Sequence, residues 1–139
     1  MKLIFDTNVV LDVLLVREPF NNDALQLFAC TERGELDSYI CATIITTIHY
    51  LASKSLGPKQ TKVLVKNLLT LFEVAPVNRL VLESAEELGF SDFEDAVLHE
   101  AGRHVGVQAI ITRDPKGFAK AQLPVYAPDL ALKIINAVD

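Results

Sequence analysis

The sequence lacks the features that would mark a membrane, secreted or cysteine-built protein. No run of about 18 uninterrupted apolar residues occurs, which excludes a membrane-spanning helix of ordinary length. The opening "MKLIFD" reaches an acid at Asp6 before a signal-peptide core can develop, so the expectation is an uncleaved cytoplasmic protein with no membrane partner. Cysteine occurs only at Cys30 in "LFACTE" and Cys41 in "YICATI". Two thiols in apolar contexts, without metal-ligand spacing, read as buried free thiols. Basic residues are not in excess either: 13 Lys and Arg face 18 Asp and Glu, for a net charge of -5. A protein that holds nucleic acid by bulk attraction is usually basic. Any such role here must rest on a local patch or a bound cation. Low-complexity segments, internal repeats and long linkers are also missing.

What remains is a chain of 139 residues, half of them hydrophobic and 22% charged, which reads as a single domain over 1–139 able to bury its own core. Short apolar β-rich runs alternate with longer amphipathic stretches, a pattern that argues α/β with a largely parallel sheet. Strands are predicted at "KLIFD" (2–6), "DSYICA", "FEVAPV", "VQAIIT" and "PVYA". Helices are predicted at "TNVVLDVLL", from Asn21 or Asn22 to a stop at Gly34, at "TIITTIHYLASKSLG", from Pro58 through "PKQTKVLVKNLLTLF", at "NRLVLESAEELG", after Ser91, and at "DLALKIINA". Leu25, Phe28 and Ala29 are expected to face inward on the second of these. Val63, Leu64, Leu68 and Leu71 recur at helical spacing on the fourth.

The stretch "SDFEDAVLHEAG" (91–102) crowds Asp92, Glu94, Asp95 and Glu100 into ten positions. With Ser91 as N-cap, Glu94 falls at N3 and completes a capping box, and Asp92 at N1 sits well in the helix dipole. Asp95 then occupies N4, where an apolar staple for Phe90 would be expected, and such a break in local rules points to function. Solvated charge at a helix start is the plainer account of Asp92 and Asp95. Asp6 follows the buried run "LIF" at a strand end, where an unpaired charge is costly; its bland role is to cap the helix at "TNVV". Asp12, inside that helix, reads as a solvated residue.

Asp114 lies in "TRDPKGF", where Pro115 and Gly117 make a loop regardless of function. Ligands of open parallel sheets bind beyond the carboxyl ends of the strands. If the first and fourth strands are neighbours, Asp6 and Asp114 face one crevice. Three carboxylates from separate segments, with no partner cations at obvious spacing, suggest a hard divalent ion such as Mg²⁺ or Mn²⁺ held through oxygens. Phosphate contacts would call on Arg113 and Lys116 beside the loop acid, or on Lys59, Lys62 and Lys66, spaced i, i+3, i+7. An ordinary solvated helix face accounts for the three lysines as well. Arg17 reads as a local ion-pair partner, Glu100 as facing water or a basic neighbour, and His49, His99 and His104 as packing, capping or solvated residues.

The stretches "LIFDTNVVLDVLLVREPF", "SDFEDAVLHEAG" and "AIITRDPKGF" together resemble a PIN domain, in order and spacing over essentially the whole chain. The sequence is similar to the toxin-type (VapC-like) members of prokaryotic toxin/antitoxin systems. The resemblance implies a three-layer α/β/α sandwich with a mainly parallel central sheet. It also implies a Mg²⁺- or Mn²⁺-dependent ribonuclease, a cognate antitoxin protein as partner, and a homodimer. Carried over by position, it assigns metal and catalytic roles to Asp6, Asp95 and Asp114, with Asp92 beside Asp95, and polar supporting roles to Asn8 and Thr112. Active members usually carry an acid on the helix after the second strand, where this chain has Thr47. A hydroxyl adds no charge, so metal affinity should fall, and Thr47→Glu should raise it. In the final loop, the acid often found just before Phe is replaced by Gly117.

Two other readings compete. A catalytically weakened PIN fold could serve as a binding or dimerisation module, with Thr47 as its supporting feature. A phosphatase of the haloacid-dehalogenase type would want Asp-x-Asp where Asp6-Thr7-Asn8 stands. A response-regulator receiver would want paired acids after the first strand and a Lys after a late one, where "TRDP" stands.

Overall fold

A computed structural model describes residues 1–138; Asp139, the last residue of the predicted domain, lies outside them. The apolar run "LIF" forms the middle of the molecule. Strand β1 (Lys2–Phe5) buries Leu3, Ile4 and Phe5 completely, as a strand covered on both faces must. Around it, β2 (Asp37–Cys41), β3 (Glu73–Ala75), β4 (Ala109–Ile111) and β5 (Val125–Tyr126) complete a sheet in the order β3-β2-β1-β4-β5, every pairing parallel. The strand order reverses at β1, so the switch point falls between β1 and β4, with Phe5 opposite Ile111.

Parallel strands need crossovers: α1 (Thr7–Leu14) and α2 (Asn21–Glu32) join β1 to β2, α3 (Ala42–Leu56) and α4 (Pro58–Leu71) join β2 to β3, and α5 (Arg79–Glu87) and α6 (Phe93–His104) join β3 to β4. Strand β4 instead passes to β5 through the 3-10 turn Pro115–Phe118, and α7 (Pro128–Val138) follows β5. Side chains of a strand alternate between faces. Phe5 therefore packs edge-on against Phe28 of α2 and Phe72, at ring-centroid distances of 6.0 and 5.3 Å. Ile4 points the other way and meets α6 at Gly102. A Cβ on Gly102 would lie 2.9 Å from Val107 Cγ2 and 3.1 Å from Ile4 Cγ2, so only glycine lets α6 close onto the sheet. The result is the expected three-layer α/β/α sandwich. Among the described residues no helix is long and apolar enough to cross a membrane.

Two inward faces differ from the periodicity reading. On α2 Phe28 is buried as expected, but Leu25 is more than half exposed and Ala29 only half-buried; Ala24, Leu27, Cys30 and Thr31 complete the inward face. On α4, Val63 is exposed, and the inward stripe runs through buried Thr61 and Leu68 with Leu64 and Leu71 half-buried. Thr61 can take an inward place because its hydroxyl donates to the Gly57 carbonyl at 2.8 Å. Cys30 and Cys41 are buried free thiols, and burial pushes both thiol pKa values up.

Candidate active site

The ends of three neighbouring strands set the floor of the cleft. The Asp6 amide donates to the Ile111 carbonyl at 2.9 Å, and the Thr112 amide to the Tyr126 carbonyl at 3.0 Å. Asp6 and Thr112 thus emerge side by side. Asp6 is 8% exposed and does two jobs: Oδ1 accepts from the Thr7 amide at 2.8 Å as the N-cap of α1, and Oδ2 accepts from Thr112 Oγ1 at 2.8 Å. The capping role and the site role are compatible, since they use different oxygens.

Asn8 and Thr112 tie the loop acid to this floor. Asn8 Nδ2 lies 3.4 Å from Asp6 Oδ2 and 3.3 Å from Thr112 Oγ1, and Asn8 Oδ1 accepts from the Arg113 amide at 3.2 Å. Thr112 Oγ1 also accepts from the Asp114 amide at 3.0 Å. Asp114 itself is exposed at the start of the 3-10 turn Pro115–Phe118.

From the third side comes the start of α6, with a cap that differs from the expected one. Asp92, not Ser91, is the N-cap: its Oδ1 accepts from the Glu94 and Asp95 amides at 2.8 and 3.3 Å. Ser and Asp are about equally good caps, so the local sequence could not choose between them. Asp95 consequently stands at N3 rather than N4. Glu94 stands at N2, outside any capping box, and its Oε2 accepts from Thr47 Oγ1 at 3.3 Å.

The acids are close enough to press on one another. Burial raises the Asp95 pKa from 3.8 to about 7, and the charges of Asp6, Asp92, Glu94 and Asp114 add to it. Burial likewise pushes Asp6 up, with hydrogen bonds from Thr112 and Thr7 opposing and the charges of Asp114 and Asp92 reinforcing. Among the described residues, no Lys or Arg forms an ion pair with any of these carboxylates. Gly117 lies against two of them: a Cβ there would lie 2.9 Å from Asp95 Oδ2 and 3.4 Å from Asp114 Oδ2, so any side chain at 117 would press on Asp95.

Among the described residues, no three His, Cys, Asp or Glu side chains are already drawn together as a metal-ligand group. The donor set nevertheless suits a hard cation. It is all oxygen, it carries unneutralised charge, and it is open, so that waters can complete the shell of a hard ion such as Mg²⁺.

The predicted cationic residues divide. Arg113 is not free for a phosphate: its Nε and Nη2 grip Asp12 Oδ2 and Oδ1 at 2.5 and 3.0 Å, and its guanidinium lies 3.9 Å from the centroid of the Phe20 ring. Asp12, expected to be solvated, is fully buried and also has Arg17 Nε at 3.2 Å. Both departures have one cause, a pairing across 101 residues that no local pattern displays. Lys59, Lys62 and Lys66 are exposed on α4 with no hydrogen bond or ion pair to the acids among the described residues. Lys116 does lie beside the site, in a pocket of about 170 Å³ lined also by Ser91, Gly117 and Lys120. Lys120, which the sequence reading passed over, also donates to the Gly89 carbonyl at 3.0 Å.

The histidines are structural or solvated. His99 is fully buried; its Nε2 accepts from the Gln122 and Leu123 amides at 3.0 and 3.3 Å, which leaves Nδ1 to donate to Glu100 Oε2 at 2.8 Å. Glu100 is buried, and Arg103 is the basic neighbour expected for it, at 2.9 Å. His49 and His104 are exposed.

Comparison with known proteins supplies an independent line. The family model described as PIN domain matches residues 2–116. Ribonuclease VapC1 of Aquifex aeolicus (strain VF5) is 25% identical over 134 residues, spanning 93% of this chain and 87% of that one. VapBC2 from Rickettsia felis, in a crystal structure bound to a DNA fragment from its promoter, gives a TM-score of 0.71 at 15% identity, with 91% of this chain and 98% of that chain covered. VapC20 of Mycobacterium tuberculosis, described as a toxin that cleaves the sarcin-ricin loop, gives 0.67 at 16% identity, covering 84% and 93%. At those identities the two structures speak for the shared fold.

Proposed function

The chain belongs to the PIN domain family, and from that premise we propose that it is a single-domain endoribonuclease dependent on Mg²⁺ or Mn²⁺, the toxin component of a toxin/antitoxin pair. The observation that carries the reading is the group of mutually repelling acids around the carboxyl ends of β1 and β4, without a basic ion-pair partner among the described residues and with Asp95 pushed up to about 7. Such a group is costly unless a cation belongs there. The name of the Aquifex relative and the VapBC complexes among the structural neighbours support the ribonuclease and the antitoxin.

Asp6, Asp95 and Asp114 would hold the cation, with Asp92 beside them. The chemistry it supplies there is Lewis-acid activation of water and neutralisation of charge on the scissile phosphate. The chain's own residues do the positioning. Thr112 and Asn8 fix the Asp6 carboxylate and the backbone of the loop that carries Asp114. In the metal-free chain Asp95 is pushed up to about 7, so binding of a cation there should displace its proton. Lys116 and Lys120, at the rim by Gly117, are placed to meet a phosphate of the RNA. Apolar side chains left exposed on α3, α4 and α5, among them Tyr50, Leu51, Val63, Leu80 and Leu82, offer surface to the antitoxin and to a second copy of the chain in a cytoplasmic homodimer.

The test is RNA cleavage by purified protein with Mg²⁺ or Mn²⁺, beside Asp6→Asn and Asp95→Asn. Each variant should lose on the order of a hundredfold or more; equal activity in all three points to a contaminant and removes the nuclease assignment. The competing module reading, based on Thr47, predicts instead that Asp95→Asn leaves Mn²⁺ binding unchanged.

A further inference from the structure

On the reading of this cleft as a divalent-metal ribonuclease site, we infer that Glu94 supplies its fourth carboxylate, delivered from α6 to the position where α3 carries Thr47.

The first ground is that Glu94 has lost its structural explanation. As the N3 residue of a capping box its carboxyl would turn back onto the backbone amide of its own helix. Because the cap is Asp92, whose Oδ1 takes the amides of Glu94 and Asp95, the Glu94 carboxyl has no capping duty. It reaches away instead, across 47 residues of sequence, to Thr47 Oγ1 at 3.3 Å. Among the described residues it has no ion-pair partner.

The second ground is its location. Glu94 is one of the charges that bear on Asp95, and its charge also reaches the Cys41 thiol at the foot of α3. Those two neighbours place the carboxylate between the start of α6 and the start of α3, on the side of the cleft where the family pattern puts an acid. Glu94 is itself exposed, at the mouth of the cleft, and there it adds a like charge to an already crowded group.

The third ground is what the threonine does. A hydroxyl that donates to Oε2 fixes the glutamate and leaves Oε1 free, either for the cation or for one of its waters. Thr47 is then the positioning partner of a relocated acid. This reverses the expectation from sequence that Thr47→Glu alone strengthens metal binding. With Glu94 already at hydrogen-bond distance from residue 47, a second carboxylate would be forced against the first.

The experiment uses the full chain and Mn²⁺ as probe, with binding followed by the EPR signal of the free ion and folding followed by the thermal midpoint. Glu94→Gln should weaken Mn²⁺ binding on the order of tenfold or more with the midpoint not reduced. The double variant Thr47→Glu/Glu94→Gln, which moves the carboxylate back to α3, should regain most of that loss. Wild-type affinity in Glu94→Gln while Asp95→Asn loses Mn²⁺ overturns the inference and leaves the nuclease reading standing. A double variant no better than Glu94→Gln also overturns it, because the acid would then not act at the position of residue 47. If Asp95→Asn binds Mn²⁺ as well as the wild type, the nuclease reading fails and the inference with it.

Discussion

Asp95 keeps its proton to about pH 7 in the folded chain, whereas an ordinary Asp loses it near 3.8. Between those two values the native state binds more protons than the unfolded one, so this group makes stability fall as pH rises. Asp6 shifts in the same direction. The thermal midpoint of the metal-free protein should therefore drop from pH 5 to pH 7.5, and Asp95→Asn should flatten that drop and melt above the wild type at pH 7.5. Parallel curves for the two proteins would refute it. Mn²⁺ added at pH 7.5 should raise the wild-type midpoint and do little for the variant. Asp95 draws notice in the sequence, though on a frame one residue out: the sequence puts it at N4 as a broken staple, whereas it stands at N3, where an acid is ordinary. Glu94 draws none, for the opposite reason: Ser91-x-x-Glu94 satisfies a capping rule so well that a carboxyl engaged elsewhere looks fully explained.

The elements themselves were readable from hydrophobic period and from punctuation such as Gly57 and Pro58, but what joins them was not. Helix α1 and the loop after β4 are locked by Asp12, which is fully buried between Arg113 and Arg17. In the sequence Asp12 is a lone acid in a short helix and Arg113 a cation next to a candidate site residue. The stronger attraction is to each other, since a buried carboxylate without partners is costly. Asp12→Ala should lower stability by about 2–3 kcal/mol, below the range for a fully buried pair because both arginines keep contact with water. Urea unfolding measures it. The same substitution should also loosen the Arg113–Asp114 segment and reduce cleavage, although Asp12 touches neither RNA nor the acids. On α2 and α4, what hid the true inward faces was small and hydroxylated residues, Ala24, Thr31 and Thr61, standing where a pattern of large apolar side chains was sought.

At the scale of the whole molecule, a net charge of -5 must be reconciled with the RNA substrate proposed above. With Arg113 engaged by Asp12, Lys116 and Lys120 are the cations placed at the rim beside Gly117 to meet phosphate. Binding of single-stranded RNA to the Asp95→Asn variant should accordingly depend weakly on salt, with a log–log slope no steeper than about -2; a slope near -5 would show that a broader basic face is in use. The parallel sheet has one more effect, on timing. Asp6 hydrogen-bonds a threonine 106 residues further along, and β1 cannot acquire its β4 neighbour until that threonine has been made. During synthesis the first acid of the cleft thus waits, unassembled, for the last one. A ribosome making this chain would not meet the proposed cutting site complete until the tunnel had released it through Asp114.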